Sequence, residues 1–230
     1  MWNGKSKAVT LSFDDGIVQD MKLIELLNKY GLKCTFNLNS ELLGNHTFLI
    51  RNNMRISHYK FIPEDIKTVY EGHEVAVHSL THPTLTELSE EEIIRQVEQD
   101  RINLENLVGY DVVGMAYPNG PNDDRVAEIL KNKTKIRYSR TVTNTDSFDL
   151  QDNLLRFKPN VCGSTDFERL MKMTHEFVEL KTDKPQIFYV WGHSYEFDYR
   201  SDAFYLFEEF CKLISNRDDI FYGTNKEVLL

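Results

Sequence analysis

Four short stretches bring together residue types that can do chemistry. Asp14-Asp15-Gly16 ends an apolar run that starts at Ala8. His78 and His82 stand four apart, after Val75-Ala76-Val77 and before Pro83. Tyr117-Pro118-Asn119-Gly120 closes another apolar run, and His193 closes a fourth, Phe188-Tyr189-Val190-Trp191-Gly192. Two adjacent carboxylates that converge on one cavity repel, so one of them needs a proton or a cation. Two imidazoles and a carboxylate are a common ligand set for a catalytic zinc, which keeps a position open for water. A histidine near neutral pH can serve as a general acid or base. A Pro-Asn-Gly turn can aim backbone N–H groups at an oxyanion. Each signal has a plain counterpart: an acidic turn capping a helix, two polar loop histidines, an ordinary turn, a histidine at a rim. Their coincidence decides, because all four sit where a strand ends.

That placement rests on the elements around them. The run before Asp14 reads as a buried strand. Pro83 disfavours a helix through 78–82, so His78 ends a strand over 74–77 and His82 lies in the following turn. His73 starts that strand, about 16 Å from His78 at roughly 3.3 Å per residue, and reads as structural. Helices are expected over 18–30, 63–71, 89–108, 123–131, 166–180 and 203–214. Strands are expected over 33–38, 112–117, 135–139, 186–191 and 220–222, with a weaker one over 154–157. Ser89-Glu90-Glu91-Glu92 is a capping-box pattern. Residues 40–62 have no clear period and read as an insertion-like loop. Alternating strands and helices imply an α/β protein with a mostly parallel sheet. No GxGxxG or GxxxxGK follows the first strand, which leaves a barrel favoured over a nucleotide-binding sheet.

Bulk properties narrow the partners. With 230 residues, 41% hydrophobic and 12% aromatic, the chain can form a single domain over 1–230 with a sizeable core. A net charge of -9 argues against nucleic acid and anionic membrane surfaces. Cys34, Cys162 and Cys211 are scattered and odd in number, neither a disulfide framework nor a zinc knuckle. No segment reads as a signal peptide or a membrane span. The expected location is cytoplasmic as given, or the cell envelope or exterior if a leader has been removed.

Taken together, Ser12-Phe13-Asp14-Asp15-Gly16, His78-Ser79-Leu80-Thr81-His82, Tyr117-Pro118-Asn119-Gly120 and the strand ending in His193 resemble the polysaccharide deacetylases, the fourth carbohydrate-esterase family. The resemblance runs from about 7 to 225, where Phe221-Tyr222-Gly223-Thr224-Asn225 looks like that family's last strand. It implies a distorted (β/α) barrel of seven or eight mostly parallel strands. It also implies a divalent metal, usually zinc, with cobalt, nickel, manganese or iron as alternatives. Asp15, His78 and His82 match the family's metal ligands, Asp14 its catalytic base and His193 its catalytic acid. The implied reaction removes N-acetyl or O-acetyl groups from an oligo- or polysaccharide. Tyr117, Asn119 and Tyr195 are then candidates for oxyanion or substrate contact.

Two departures stand out. Many relatives carry a third-motif arginine paired with the catalytic aspartate; here Ala116 occupies that place, and Arg156 is the candidate substitute. The family's aspartate–tryptophan support for the acid histidine has no clear match; Asp166 is a stand-in that fits a helix N-terminus better. Other readings of the same motifs are a cytoplasmic metal-dependent amidohydrolase acting on a small non-sugar amide, an inactive carbohydrate-binding relative, and a structural metal protein.

Overall fold

The computed structural model describes residues 2–51 and 53–230. Strands β1 (Lys7–Asp14) and β2 (Cys34–Leu38) flank helix α1 (Asp20–Lys29), and strands β3 (His46–Arg51) and β4 (Met54–Tyr59) follow. Next come α2 (Ile66–Val69), β5 (Glu74–Val77), α3 (Glu90–Val108), β6 (Gly114–Ala116), α4 (Asp124–Lys133) and β7 (Tyr138–Arg140). The chain ends with β8 (Val161–Cys162), α5 (Phe167–Glu179), β9 (Gln186–Gly192), α6 (Ala203–Ile214), β10 (Ile220–Tyr222) and α7 (Asn225–Leu229).

The main sheet has eight strands in the order β7-β6-β5-β2-β1-β9-β8, with β10 beside the first half of β1. Every pairing in it is parallel. The sheet curls into a half-barrel, the distorted (β/α) barrel expected. No ladder joins β7 to β8 among the described residues; a single bridge, Arg140 to Phe157, lies near that seam.

β1 is the centre of this arrangement. It pairs with β9 over Lys7–Phe13, with β2 over Leu11–Asp14 and with β10 over Lys7–Val9. Its side chains alternate between two faces, as strand geometry requires. Val9, Leu11 and Phe13 point out into the layer of helices, where Phe13 meets Phe207 edge-on at 5.9 Å. Full burial of such a ring contributes about 2–3 kcal/mol. Thr10, Ser12 and Asp14 point into the barrel, where Thr10 Oγ1 donates to Asn225 Oδ1 at 2.8 Å. The same alternation that builds the core therefore aims Asp14 inward at the carboxyl end, where α/β barrels place their sites.

Three expectations need correction. The segment read as a loop over 40–62 carries the antiparallel hairpin β3–β4, which lies off the main sheet. The weak strand expected over 154–157 is a 3-10 turn, Leu154–Arg156, closed by Arg156 N–H on Asn153 O at 3.2 Å, and the strand beside β9 is β8. The fifth strand begins three residues later than expected and ends one residue later, so that it includes Arg140. The helix starts fare better: Ser89 Oγ accepts from Glu92 N–H at 3.3 Å, and Gly109 ends α3 with a φ of 81°. Among the described residues no helix is long and apolar enough to cross a membrane.

Candidate active site

The turns that end the barrel strands are strained where the candidate residues lie. Asp15, Ser79, His82 and Asn119 all have positive φ, at 84°, 60°, 62° and 61°. Non-glycine residues seldom adopt this conformation, and it persists only where the surroundings hold it. The strain has a use here. It turns Asp15 off the alternating pattern of β1, so two neighbouring carboxylates face one cavity instead of opposite sides of the sheet.

Their environments differ. Asp14 is buried inside the barrel. Asn37 Nδ2, its register partner on β2, donates to Oδ1 at 2.8 Å, and Arg140 Nη2 donates to Oδ2. Arg140 is itself fully buried; its Nε donates to Ser12 Oγ at 3.2 Å and its guanidinium stacks over Trp191 at 4.7 Å. Burial alone would raise the Asp14 pKa, but Arg140, His78 and His193 outweigh it and hold the carboxyl below its ordinary range. Asp15 is also pushed up by burial. The hydrogen bond from His58 and the Lys60 charge, with His193 and His78 further off, reverse this and keep it well below the ordinary value. Both acids are therefore carboxylates at neutral pH.

His78, His82 and Asp15 offer one donor atom each, all within 4.8 Å of one another. His78 Nδ1 sits 2.9 Å from Ala116 O, which can only accept, so Nδ1 carries the proton and Nε2 presents its lone pair. That Nε2 lies 3.1 Å from His82 Nε2 and 3.9 Å from Asp14 Oδ2. Burial pushes His78 down to about 4 and lowers His82 as well, so both rings are neutral near pH 7. Neutral imidazoles with a carboxylate are the state a divalent cation requires, and the set fits zinc chemistry with room for a further ligand. The backbone behind His78 is braced as well. Asp100 accepts from the backbone N–H of His78 at 3.2 Å and of Ser40 at 2.7 Å.

His193 stands across the cavity, its Nε2 3.8 Å from Asp14 Oδ2. Its Nδ1 lies 3.3 Å from Glu196 Oε2, an ion-pair contact without hydrogen-bond alignment. Glu196 is held by Ser164 Oγ and by His193 N–H at 3.2 Å. Burial alone would push the His193 imidazole down; Glu196, with Asp14 and Asp15 beyond it, outweighs this and raises it to about 9. Gly192 is needed beside this pair. A Cβ there would come within 2.2 Å of Ser164 Oγ and 3.0 Å of its Cβ.

These groups open into a cavity of about 590 Å³ shared by Tyr117, Asn119, Trp191 and Tyr195. Tyr117 spends its N–H on Arg140 O at 3.0 Å and its hydroxyl on Leu155 O at 2.8 Å. Asn119 Nδ2 reaches His82 O at 3.3 Å and Thr84 Oγ1 at 3.2 Å, tying the third turn to the second. No hydrogen bond among the described residues engages the Asn119 N–H. The Tyr195 ring packs against His193 at 5.1 Å and His58 at 5.4 Å.

A family model described as "Polysaccharide deacetylase" matches residues 3–137, more than half of the chain. The chain belongs to the polysaccharide deacetylase family. The peptidoglycan-N-acetylmuramic acid deacetylase PdaC of Bacillus subtilis is 30% identical over 128 residues, 54% of this chain but 24% of that protein's length. The chain spans between 15% and 39% of the curated relatives it matches. Among solved structures, the Xyl-CE4 domain of a multidomain xylanase from the hindgut metagenome of Trinervitermes trinervoides superposes with a TM-score of 0.60 at 18% identity, over 98% of this chain and 90% of that one. A family pseudoenzyme from Bacillus anthracis superposes with a TM-score of 0.58 at 19% identity, over 99% of this chain and 66% of that one. Both likenesses concern the fold. That fold also carries a pseudoenzyme, so activity depends on the side chains it holds.

Two places where this chain departs from the polysaccharide deacetylase pattern are filled from elsewhere. Arg156 does not replace the third-motif arginine. It donates to Asn122 Oδ1 at 2.8 Å and pairs with Asp124 Oδ1 at the start of α4, so it is tied to the rim outside the pocket. Arg140, at the end of β7, reaches Asp14 instead. Ala116 contributes through its backbone, because its carbonyl fixes the His78 tautomer. Asp166 does not support His193 either; it caps α5, accepting from Arg169 N–H at 3.2 Å. Glu196 takes that part. Both residues had a signal, since Arg140 follows an expected strand by one position and Glu196 follows His193 by three. His58 and Lys60 had none.

Proposed function

We propose that this chain is a metal-dependent deacetylase that hydrolyses the N-acetyl group of a carbohydrate. The observation that carries this is the division of labour between two adjacent carboxylates. Asp15 offers a donor atom alongside two neutral imidazoles, while Asp14, one residue away, has one oxygen engaged by Arg140 and the other by Asn37. A divalent cation, zinc by preference for this donor set, would be held by Asp15, His78 and His82, and would polarise the acetyl carbonyl and acidify the attacking water. Asp14 takes the proton of that water. Its low pKa makes it a weak base, but it is always available, and Arg140 and Asn37 fix its direction. The Asn119 N–H, in a rigid turn at the cavity wall, donates to the oxyanion that develops on the acetyl oxygen. His193 protonates the departing nitrogen from the opposite side. An amide nitrogen leaves only with a proton, and an imidazolium that titrates near 9 is fully charged at neutral pH. This favours an N-acetyl over an O-acetyl substrate, because an alkoxide needs the proton less.

Trp191 and Tyr195 line the cavity and suit the apolar face of a pyranose ring, so the substrate class is an acetylated oligo- or polysaccharide; Tyr117 is fully buried, with its hydroxyl on Leu155 O, and shapes the turn instead. The test is acetate release from N-acetylated chitooligosaccharides and peptidoglycan fragments, set against small linear and cyclic amides, with and without chelator. Chelator-sensitive acetate release from a glycan is expected. Turnover confined to small amides would move the activity to an amidohydrolase of the same fold. Zinc and glycan binding without acetate release would make the chain a binding protein.

A further inference from the structure

The β3–β4 hairpin belongs to no motif discussed above, yet it reaches the candidate metal centre. Two backbone hydrogen bonds fasten its outgoing end to the turn after β1: Val18 N–H to Tyr59 O at 2.8 Å and Phe61 N–H to Gly16 O at 3.2 Å. From this anchored strand two side chains reach back to Asp15. Lys60 Nζ donates to the Asp15 carbonyl and to Asn39 Oδ1 at 3.2 Å, bracing the residue whose φ is 84°. His58 Nε2 lies 3.2 Å from Asp15 Oδ2. A carboxylate only accepts, so the His58 proton is on Nε2. The other oxygen, Oδ1, faces His82 Nε2 at 3.9 Å, with Lys60 Nζ 3.7 Å away. The His58 ring is held side-on by Tyr195 and is nearly buried.

We propose that His58 is a positioning residue for the metal ligand Asp15: it engages Oδ2, so that Oδ1 alone is presented to the cation. A free carboxylate can rotate and offer one oxygen or both. A carboxylate with one oxygen occupied by a fixed N–H donor offers one, in one direction, and leaves the remaining coordination positions to water and substrate. Outer-shell partners of this kind change metal affinity by about 10–100-fold. The hairpin is thereby part of the centre, and a change in its length or register would be felt at the metal. This rests on the reading of Asp15, His78 and His82 as ligands.

The experiment is a zinc titration of the purified chain against a competing chromophoric chelator, followed by the visible spectrum of the cobalt-substituted protein. His58→Ala and His58→Phe are each expected to weaken zinc binding by about 10–100-fold and to change the cobalt spectrum. The Phe variant keeps the ring packed on Tyr195, which guards against a mere packing loss. His58→Gln, which restores an N–H donor, is expected to recover part of the affinity. Wild-type affinity and an unchanged spectrum in the Phe variant would overturn the inference while leaving the ligand set intact. Failure of the unaltered chain to take up zinc or cobalt would overturn the ligand reading and this inference with it.

Discussion

Replacing Glu196 by glutamine removes the charge that keeps His193 protonated while preserving the length of the side chain. With Glu196 in place the imidazole titrates near 9, against an ordinary value of 6.5. Burial by itself acts downward, so in Glu196→Gln the imidazole should fall to about 6.5 or below. A drop from about 9 to about 6.5 amounts to roughly 3 kcal/mol of differential stabilisation of the imidazolium. At pH 7.5 the protonated fraction falls from about 97% to about 9%, so the rate of a step that needs the acid form should fall about tenfold. The acid form exists below the pKa, so the alkaline limb of the kcat profile is expected near pH 9 in the unaltered enzyme and below neutrality in the variant. Linkage gives the same sign for stability. The folded pKa is raised, so this contribution is complete below about 6.5 and fades as pH rises through about 9. The assay is acetate release against pH, paired with NMR titration of the His193 ring. An alkaline limb that stays near pH 9 in Glu196→Gln would refute the assignment of Glu196 as the group that charges His193.

Three other substitutions separate the groups that serve the site from those that do not. Arg140→Gln strips a buried carboxylate of its charged partner, a change that typically costs about 3–5 kcal/mol in folding stability, and it should raise the acid limb of the pH profile as Asp14 becomes easier to protonate. Arg156→Ala, by contrast, removes a half-exposed pair with Asp124 and should shift stability by about 1 kcal/mol or less, with turnover unchanged; urea melts and acetate assays on the two variants would distinguish the arginines. Gly192→Ala forces Ser164 off Glu196 and should lower kcat far more than it lowers the melting temperature. Equal losses in both would mean that the glycine serves packing alone.

The legible and illegible parts of this site differ in their geometry. Asp14, Asp15, His78, His82 and His193 each follow directly on an apolar run, and the end of a buried strand is a local signal. The cap of α3 is likewise carried by a single residue, Ser89. Arg140 escapes the sequence reading because its strand, expected to end at Ser139, runs one residue further. An error of that size at a strand boundary moves a residue between loop and barrel. Arg156 was favoured because Leu154-Leu155-Arg156-Phe157 looks apolar enough for a strand, whereas its backbone closes a turn. The hairpin was unreadable for a physical reason. Thr47, Phe48 and Ile50 are all exposed and Ile56 alone is buried on either strand, so no sustained alternation of buried and exposed residues marks the sequence. His58 and Lys60 reach Asp15 across more than 40 positions of chain, and nothing local marks such a contact.

In the proposed function two neighbouring carboxylates do different work, one binding the cation and one taking the proton. This division is tested most directly by the zinc content of Asp14→Asn and Asp15→Asn, measured by atomic emission after dialysis against limiting zinc and compared with the unaltered chain. One equivalent is expected in the unaltered chain and in Asp14→Asn, almost none in Asp15→Asn, and no acetate release from either variant. Full zinc occupancy in Asp15→Asn, or its loss in Asp14→Asn alone, would contradict that division.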